Sequence, residues 1–272
     1  MTVINTNISA LRAQNGSRMA NDALSTAMAR LSSGKRINSA ADDAAGLAIS
    51  NSMTAQINGM NQGIRNANDG IAMAQTAGGA LDEVTNMLQR QRELTTQALN
   101  GTYSSTDLTN MQTEKSALDT QITNILTNTQ FNGVNLFDGS AGTSGAVSIQ
   151  AGANAADAVT LTFADQSTAV TGTQAVDLTS AASADLATFD TAIQAISTAQ
   201  AGFGAGQAQL QSAVNNLTSN VTNLSDARSR IQDADFSAET TNLAKAQILS
   251  QASTAMLSQA NQSQQNVLTL LR

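Results

Sequence analysis

One long stretch in the last third of the chain decides the fold. Residues 186–224 read LATFDTAIQAISTAQAGFGAGQAQLQSAVNNLTSNVTNL. Alternating steps of three and four residues connect twelve positions, of which only Gln200 and Gln207 are polar: Leu186, Phe189, Ile193, Ile196, Gln200, Phe203, Gln207, Leu210, Val214, Leu217, Val221 and Leu224. This spacing keeps one narrow apolar stripe of an α-helix facing a partner helix. The stretch therefore predicts a helix segment about 57 Å long, packed along its length.

The same rhythm recurs elsewhere in the chain. One run extends from Met53 to Leu81, and a shorter one from Leu108 to Ile125 has Lys115 as its polar position. Thin stripes also mark the two ends: Ile4, Ile8, Leu11, Leu24, Met28 and Leu31, then Leu249, Met256, Ala260, Val267 and Leu270. Because an isolated helix with so few apolar residues is marginal in water, we expect the ends to pack against each other and against other subunits.

The helical rhythm disappears between about residues 139 and 180. Residues 146–149 and 159–163 have the alternation and β-branching of short strands, which predicts a small β-hairpin with surface loops. The whole pattern predicts a mainly α fold, a long antiparallel coiled-coil or helical-bundle rod with paired terminal helices and this insertion. An ordinary helical bundle is the alternative, but the length and narrowness of the stripes favour the rod.

The composition excludes most site chemistry. The chain has no His, Cys, Trp or Pro, so it lacks imidazole bases, thiolates and the usual metal ligands. We expect no catalytic residue, cofactor or metal, and a carboxylate hydrolase is the enzyme alternative. Residues 116–227 contain no Lys or Arg, and the net charge is −7, which argues against nucleic acid. No 18-residue apolar run and no cleavable signal are visible, so we expect no membrane insertion.

Two motifs are specific enough to name a family. Residues 30–49, RLSSGKRINSAADDAAGLAI, closely resemble the N-terminal signature of bacterial flagellins. Residues 227–236, 246–249 and 260–272 resemble the matching C-terminal signature, so the resemblance covers residues 1–138 and 186–272. It implies a terminal-helix core domain (1–43 with 229–272), a helical rod domain (44–138 with 181–228) and a small variable outer region (139–180).

The resemblance also implies a function. It implies a structural subunit that polymerises into the flagellar filament for swimming, outside the cell and without a cleaved signal peptide. Implied partners are other copies of the chain, an export chaperone on the C-terminal helix, and the hook-associated junction and cap proteins. The alternatives are a hook–filament junction protein and a flagellin-like surface adhesin.

A charged segment resembles a known recognition surface. Residues 88–97 resemble the flagellin segment bound by the innate immune receptor Toll-like receptor 5, although Gln91 departs from the family's aliphatic residue there. The implied contact set, with Arg90, Leu94 and Glu114 matching family positions, is Gln89, Arg90, Arg92, Glu93, Leu94 and Glu114. The same charges could equally form a solvated stripe or an inter-subunit contact.

A turn near residue 34 separates two predicted helices. Gly34 can end the first helix, and Ser39 with Asp42 has capping-box spacing for the next one. A metal site at Asp42 and Asp43 is the alternative, which we reject because adjacent carboxylates on a helix project in different directions.

Overall fold

The computed structural model describes residues 6–269, with side chains through residue 266, and this part of the chain contains six α-helices. They are α1 (Ile8–Ser33), α2 (Ala44–Ala98), α3 (Ser105–Asn128), α4 (Ser167–Gln174), α5 (Ala184–Gln232) and α6 (Phe236–Thr269). Two short hairpins lie between α3 and α4: β1 (Gln130–Phe131) with β2 (Val134–Asn135), and β3 (Ala146–Gln150) with β4 (Ala158–Thr162). The predicted mainly α fold with a small β-hairpin insertion is confirmed.

The chain divides into two compact units. The terminal unit comprises Met1–Ala55 and Asn223–Arg272, and the central unit comprises Gln56–Thr222. The domain boundaries expected from the sequence, after residues 43, 138, 180 and 228, differ from this division and stay a prediction.

In the terminal unit, α1 and α6 run antiparallel. Gly34 ends α1 with a φ of 69°, a left-handed conformation that glycine adopts without a steric cost. Just beyond, Lys35 and Asp233 form an isolated antiparallel bridge, in which the N–H of Arg36 donates to the carbonyl oxygen of Gln232 at 2.7 Å. The segments that lead into α2 and out of α5 are therefore joined by backbone hydrogen bonds.

The stripes of α2, α3 and α5 face inward, as their spacing predicted. All twelve positions of the run at 186–224 are buried or half-buried on α5, including Gln200 and Gln207. Phe189 and Leu210 of that run are completely buried in the central unit's core. Lys115, the polar position on α3, is also completely buried.

The β3–β4 hairpin packs closely on α2 and α5 within the central unit. Its five residue pairs run from Ala146↔Thr162 to Gln150↔Ala158, on the strands predicted. A Cβ added at Gly63 of α2 would lie 2.7 Å from the backbone N of Gly152, and one added at Gly206 of α5 would overlap Leu161. Gly63 therefore needs to be glycine, because backbone atoms of the hairpin approach it, whereas a larger residue at position 206 would require the Leu161 side chain to move.

The segment around the hairpin is more ordered than the predicted surface loops. It contains α4 and a 3₁₀ turn at Leu178–Ser180, neither of which the sequence predicted. Its apolar side chains join the core of the central unit; those almost fully buried include Phe137, Leu161, Phe163, Val170 and Leu178. The short β1–β2 hairpin, which turns at Asn132 and Gly133, was also missed.

Candidate functional site

The two terminal helices meet along a seam of small side chains. The buried alanines of this seam are Ala20, Ala27 and Ala246. Among the hydrogen bonds that cross it, Asn7 Nδ2 donates to the carbonyl oxygen of Ala260 at 3.1 Å, and Ser250 Oγ donates to Asn21 Oδ1 at 3.0 Å. Small side chains let the helix axes approach, but they bury little apolar area per residue.

A charged pair lies at the other end of the seam. Arg30 Nη1 lies 3.8 Å from Glu239 Oε2, and Glu239 is only 8% exposed. Arg30 Nε is buried without a hydrogen-bond partner in the described part of the chain. A pair of this kind can fix the register of two helices, because sliding either helix would leave a buried charge alone.

Five of the eight predicted assembly residues whose side chains the structure describes are exposed. Exposed large side chains among them are Ile8, Leu11, Met28, Leu249 and Met256. Leu24, Leu31 and Ala260 are half-buried. Ile4 and Leu270 lie outside the described residues, as does the side chain of Val267.

The sequence pattern missed three of the most exposed apolar residues on these helices. Met19 lies on α1, and Phe236 and Ile248 lie on α6. They lie off the four-and-three rhythm that predicted the other residues. The sequence does contain a signal for these three residues: they are large and apolar, and they lie at positions that the seam between two helices does not cover.

Two open grooves run along the paired helices. The larger, about 600 Å³, is lined mainly by apolar atoms and includes Met19, Ala23, Ala246 and Leu249. The smaller, about 430 Å³, includes Ala13 and Met256. Both grooves are open along one side, so they suit an elongated apolar partner better than an enclosed small molecule.

The charged segment on α2 forms a surface network in the central unit. Arg90 donates from Nε to Glu114 Oε1 at 2.9 Å and from Nη1 to Glu93 Oε2 at 3.3 Å. These hydrogen bonds, first to Glu114 and then to Glu93, raise the pKa of Arg90 above its ordinary value. Arg92 donates from Nε to Asp190 Oδ1 at 2.7 Å and so connects α2 to α5. Gln89 is exposed beside this network.

Leu94 does not belong to that surface. It is only 2% exposed and packs in the core of the central unit, because it lies on the inward face of α2. The expectation that Leu94 is an accessible member of the receptor contact set is therefore corrected. In this structure the exposed part of the predicted contact set is polar.

A buried polar cluster lies near this network. Lys115 Nζ donates to Asp119 Oδ2 at 2.7 Å and to the carbonyl oxygen of Gln174 at 3.4 Å. Gln91 Nε2 donates to Asp119 Oδ1 at 2.8 Å, which explains how α2 accepts a polar residue at an inward position. The cluster ties α2, α3 and the end of α4 together.

The turn after Gly34 caps α2 differently from the prediction. Asp43 Oδ1 accepts from the N–H of Gly46 at 2.9 Å and so caps the helix. Asp42 Oδ2 accepts from the N–H groups of Ser39 and Asn38, and these hydrogen bonds lower the pKa of Asp42. The predicted Ser39–Asp42 capping box is therefore corrected: that pair closes the preceding turn, because α2 begins two residues after Asp42.

The described residues contain no grouping suited to chemistry at a metal. Across residues 6–269, no three His, Cys, Asp or Glu residues gather as a metal site. None of the helices in that range is long and apolar enough to cross a membrane. The open features are instead apolar helix faces and long grooves, which define a helical assembly protein.

Comparison with known proteins identifies the family. Residues 4–142 match the bacterial flagellin N-terminal helical region, and residues 186–271 match the bacterial flagellin C-terminal helical region. The chain therefore belongs to the bacterial flagellins, as its motifs predicted. It is a structural subunit of the bacterial flagellar filament.

Individual relatives agree with this assignment over the full length. The chain is 41% identical to a flagellin of Bacillus subtilis (strain 168), with 99% of both chains covered. It is 42% identical to a flagellin of Halalkalibacterium halodurans, with 99% of this chain and 100% of the relative covered. A crystal structure of Bacillus cereus flagellin aligns with a TM-score of 0.52 and 34% identity, covering 60% of this chain and 94% of that one.

Proposed function

We propose that the filament assembles through the outward apolar faces of α1 and α6, which neighbouring subunits cover. One observation carries the proposal. Of the eleven large apolar side chains that are exposed in the described residues, eight lie on these two helices: Ile8, Leu11, Met19, Met28, Phe236, Ile248, Leu249 and Met256. An apolar surface this concentrated is typical of an interaction site.

The energetics favour a polymer over an isolated chain. Covering one such side chain stabilises an interface by roughly 1.5–3 kcal/mol before the costs of association. The seam buries mainly small residues, so the large ones contribute only when another copy is present. Contacts that join different faces of identical subunits repeat without closing and so extend a filament.

Charge substitutions on the two faces test the proposal. We expect Leu11→Asp and Ile248→Asp to abolish polymerisation, because each would bury an unpaired carboxylate between subunits. Purified protein would be seeded with ammonium sulfate, followed by sedimentation and electron microscopy. Tyr103→Asp, which changes an exposed apolar residue of the central unit, is the matched control. Circular dichroism would verify that every variant is folded, and normal filaments from both terminal variants would contradict the proposal.

A truncation of the C-terminal helix also tests whether the terminal helices are needed for assembly. Removing residues 253–272 should abolish polymerisation and leave the central unit folded, since no part of that unit is deleted. Filaments from the truncated chain would show that the terminal helices are dispensable. A full-length chain that stays monomeric after seeding would favour a junction protein or an adhesin.

We propose that the protein is exported without a cleaved signal peptide and functions outside the cell. An export chaperone would bind α6 over about residues 243–270, where exposed Ile248, Leu249 and Met256 need cover before assembly. Hook-associated junction and cap proteins would bind the same faces at the filament ends. Mass spectrometry of the secreted protein would test whether its N-terminus is uncleaved. Co-purification of the chaperone with the wild-type chain and with the Ile248→Asp variant would test the chaperone site.

We also propose that the free subunit is a ligand of Toll-like receptor 5 through Gln89, Arg90, Glu93 and Glu114. The support is the exposed network centred on Arg90, whose planar guanidinium offers directional hydrogen bonds. Arg90→Ala should reduce activation of receptor-bearing reporter cells by monomer at least about tenfold, the effect of a central interface arginine. Arg65→Ala, an exposed arginine of α2 outside the network, is the control.

Finally, we propose that the chain has no catalytic role. The exposed aspartates of residues 139–185 are the remaining candidates for a carboxylate hydrolase, and they accept local hydrogen bonds that stabilise turns, as Asp165 and Asp177 do. Replacing these aspartates with asparagine should leave filament function unchanged. Loss of any hydrolytic activity in those variants would contradict this.

A further inference from the structure

Methionine exposure differs sharply between the terminal helices and the rest of the molecule. Met19 is 74% exposed, Met28 57% and Met256 64%, and all three lie on α1 or α6. By contrast, Met73 and Met111 are buried in the core of the central unit. The other described methionines, Met53, Met60 and Met87, are half-buried.

Two of the exposed thioethers lie on the grooves of the terminal pair. Met19 lines the larger groove together with Ala23 and Leu249. Met256 lines the smaller groove. If neighbouring subunits cover these faces, as proposed above, the thioethers are accessible in the free subunit and shielded in the filament.

We infer that Met19, Met28 and Met256 form an oxidation-sensitive modification site that controls assembly competence, an inference that rests on the proposed assembly surface. The oxidant is a peroxide. The thioether sulfur attacks one peroxide oxygen, the O–O bond breaks, and the leaving hydroxide removes the proton from the new sulfur-bound hydroxyl and becomes water. Sulfur is oxidised to the sulfoxide and the peroxide is reduced, so the reaction needs no other reactant.

Sulfoxide formation makes the exposed faces of α1 and α6 more polar without changing the fold. A flexible apolar side chain becomes a polar one with a strong hydrogen-bond acceptor. In the monomer this acceptor is hydrated, so the cost is small. In the filament it would be buried against apolar side chains without a donor, which disfavours association. Oxidation therefore blocks addition of free subunits while formed filaments resist it.

Peroxide treatment of the two states tests this. Monomer would be exposed to hydrogen peroxide, mapped by peptide mass spectrometry, and then seeded with ammonium sulfate. We expect Met19, Met28 and Met256 to oxidise first, and the concentration of free subunit left after seeding to rise at least about tenfold. The same treatment of preformed filaments should leave these three methionines largely reduced. Methionine sulfoxide reductase should restore assembly of the oxidised monomer.

Two triple variants make the test specific. Met19→Leu/Met28→Leu/Met256→Leu keeps the apolar faces and should assemble after peroxide treatment. Met53→Leu/Met60→Leu/Met87→Leu is the matched control and should remain sensitive. The reductase experiment needs no substitution, so it decides the matter if either variant fails to fold.

Failure of this inference differs from failure of the proposed function. Untreated protein that does not polymerise would contradict the proposed function itself. Untreated protein that polymerises, together with fully oxidised monomer that polymerises equally well, would overturn the inference alone. Equal oxidation of the three methionines in monomer and filament would overturn it too.

Discussion

The two units use the same kind of helix in opposite ways. In the central unit, large apolar residues such as Phe189 and Leu210 are completely buried. In the terminal unit, the buried residues between α1 and α6 are mostly alanines, and Phe236 and Ile248 project outward. Both units therefore contain large apolar side chains, but only the central unit covers them within one chain.

The central unit therefore contributes most to the stability of the chain, and the terminal unit provides the proposed surface for assembly. The central unit has its own core, built by α2, α3, α5 and the insertion. The terminal pair is held by a thin seam, and such a pair is marginal alone. The isolated chain leaves the apolar faces of α1 and α6 exposed, and these are the faces that a neighbouring subunit can cover.

The largest expected effect comes from two phenylalanines. Phe189→Ala should lower the free energy of unfolding by about 3–5 kcal/mol, because it leaves a cavity in a closed core. Phe236→Ala, at an exposed position, should change it by less than about 0.5 kcal/mol but weaken polymerisation. Urea denaturation followed by circular dichroism measures the first effect, and seeded sedimentation the second. Equal destabilisation by both substitutions would break the comparison.

The two interior charged pairs give the next effect. Lys115→Met should destabilise the central unit by about 3 kcal/mol, because Asp119 would lose the ammonium group 2.7 Å away. Adding Asp119→Leu should recover most of that loss. Arg30→Met should also destabilise the terminal unit, because Glu239 is only 8% exposed and would lose its cation, but by less than Lys115→Met, since the Arg30–Glu239 pair is 3.8 Å long and Arg30 is partly exposed. Denaturation midpoints of the four proteins decide this, and a tolerated Lys115→Met would contradict it.

Two glycines compare the tightness of packing. Gly63→Ala should destabilise the central unit by about 1–3 kcal/mol, because the added methyl meets backbone atoms of Ala151 and Gly152. Gly16→Ala should be neutral or stabilising, since its nearest neighbour, Ser253 Oγ, would lie at an ordinary 3.4 Å. Thermal unfolding measures both. If Gly16→Ala were the more harmful of the two, the loose-seam interpretation would be wrong.

The smallest effect concerns acid. Ser104 and Asp107 form a capping box on α3, and the hydrogen bond from the Ser104 hydroxyl is the main cause that lowers the pKa of Asp107 below its ordinary 3.8. A lowered folded-state pKa contributes stability above the ordinary value, and that stability is lost as the pH falls below it. Asp107→Asn should therefore make unfolding less dependent on pH below about 4. Parallel pH profiles of wild type and variant would contradict the assignment.

The sequence was most informative where packing repeats. The twelve-position stripe of α5 was predictable because one helix face repeats the same environment, and even Gln200 fits, donating to Asp82 Oδ1 at 2.7 Å. The strands β3 and β4 were predictable from alternation and β-branching. In such strands the alternation of apolar and polar residues follows directly from which side of the strand is buried.

Features that depend on distant parts of the chain were not predictable. Leu94 is buried because it lies on the face of α2 that packs into the core of the central unit. Its burial contradicts the surface role expected from the sequence. The Lys115 ammonium group has a visible partner four residues later in Asp119, but its second partner, the Gln174 carbonyl, comes from α4, which has only eight residues. The cap lies at Asp43, four residues after the predicted N-cap Ser39, because the Ser39–Asp42 pair closes a separate turn before α2 begins.

The glycine contacts of the hairpin have a consequence for how this protein can change over time. Because Gly63 meets the backbone of Ala151 and Gly152 and Gly206 meets the side chain of Leu161, the start of the loop after β3 and the strand β4 tolerate little drift in sequence or length. The tip of the hairpin, residues 154–156, is exposed and free of such contacts. New sequence, whether a natural insertion or an engineered epitope, is best accommodated between Ala155 and Ala156, and the rest of the segment must keep its shape.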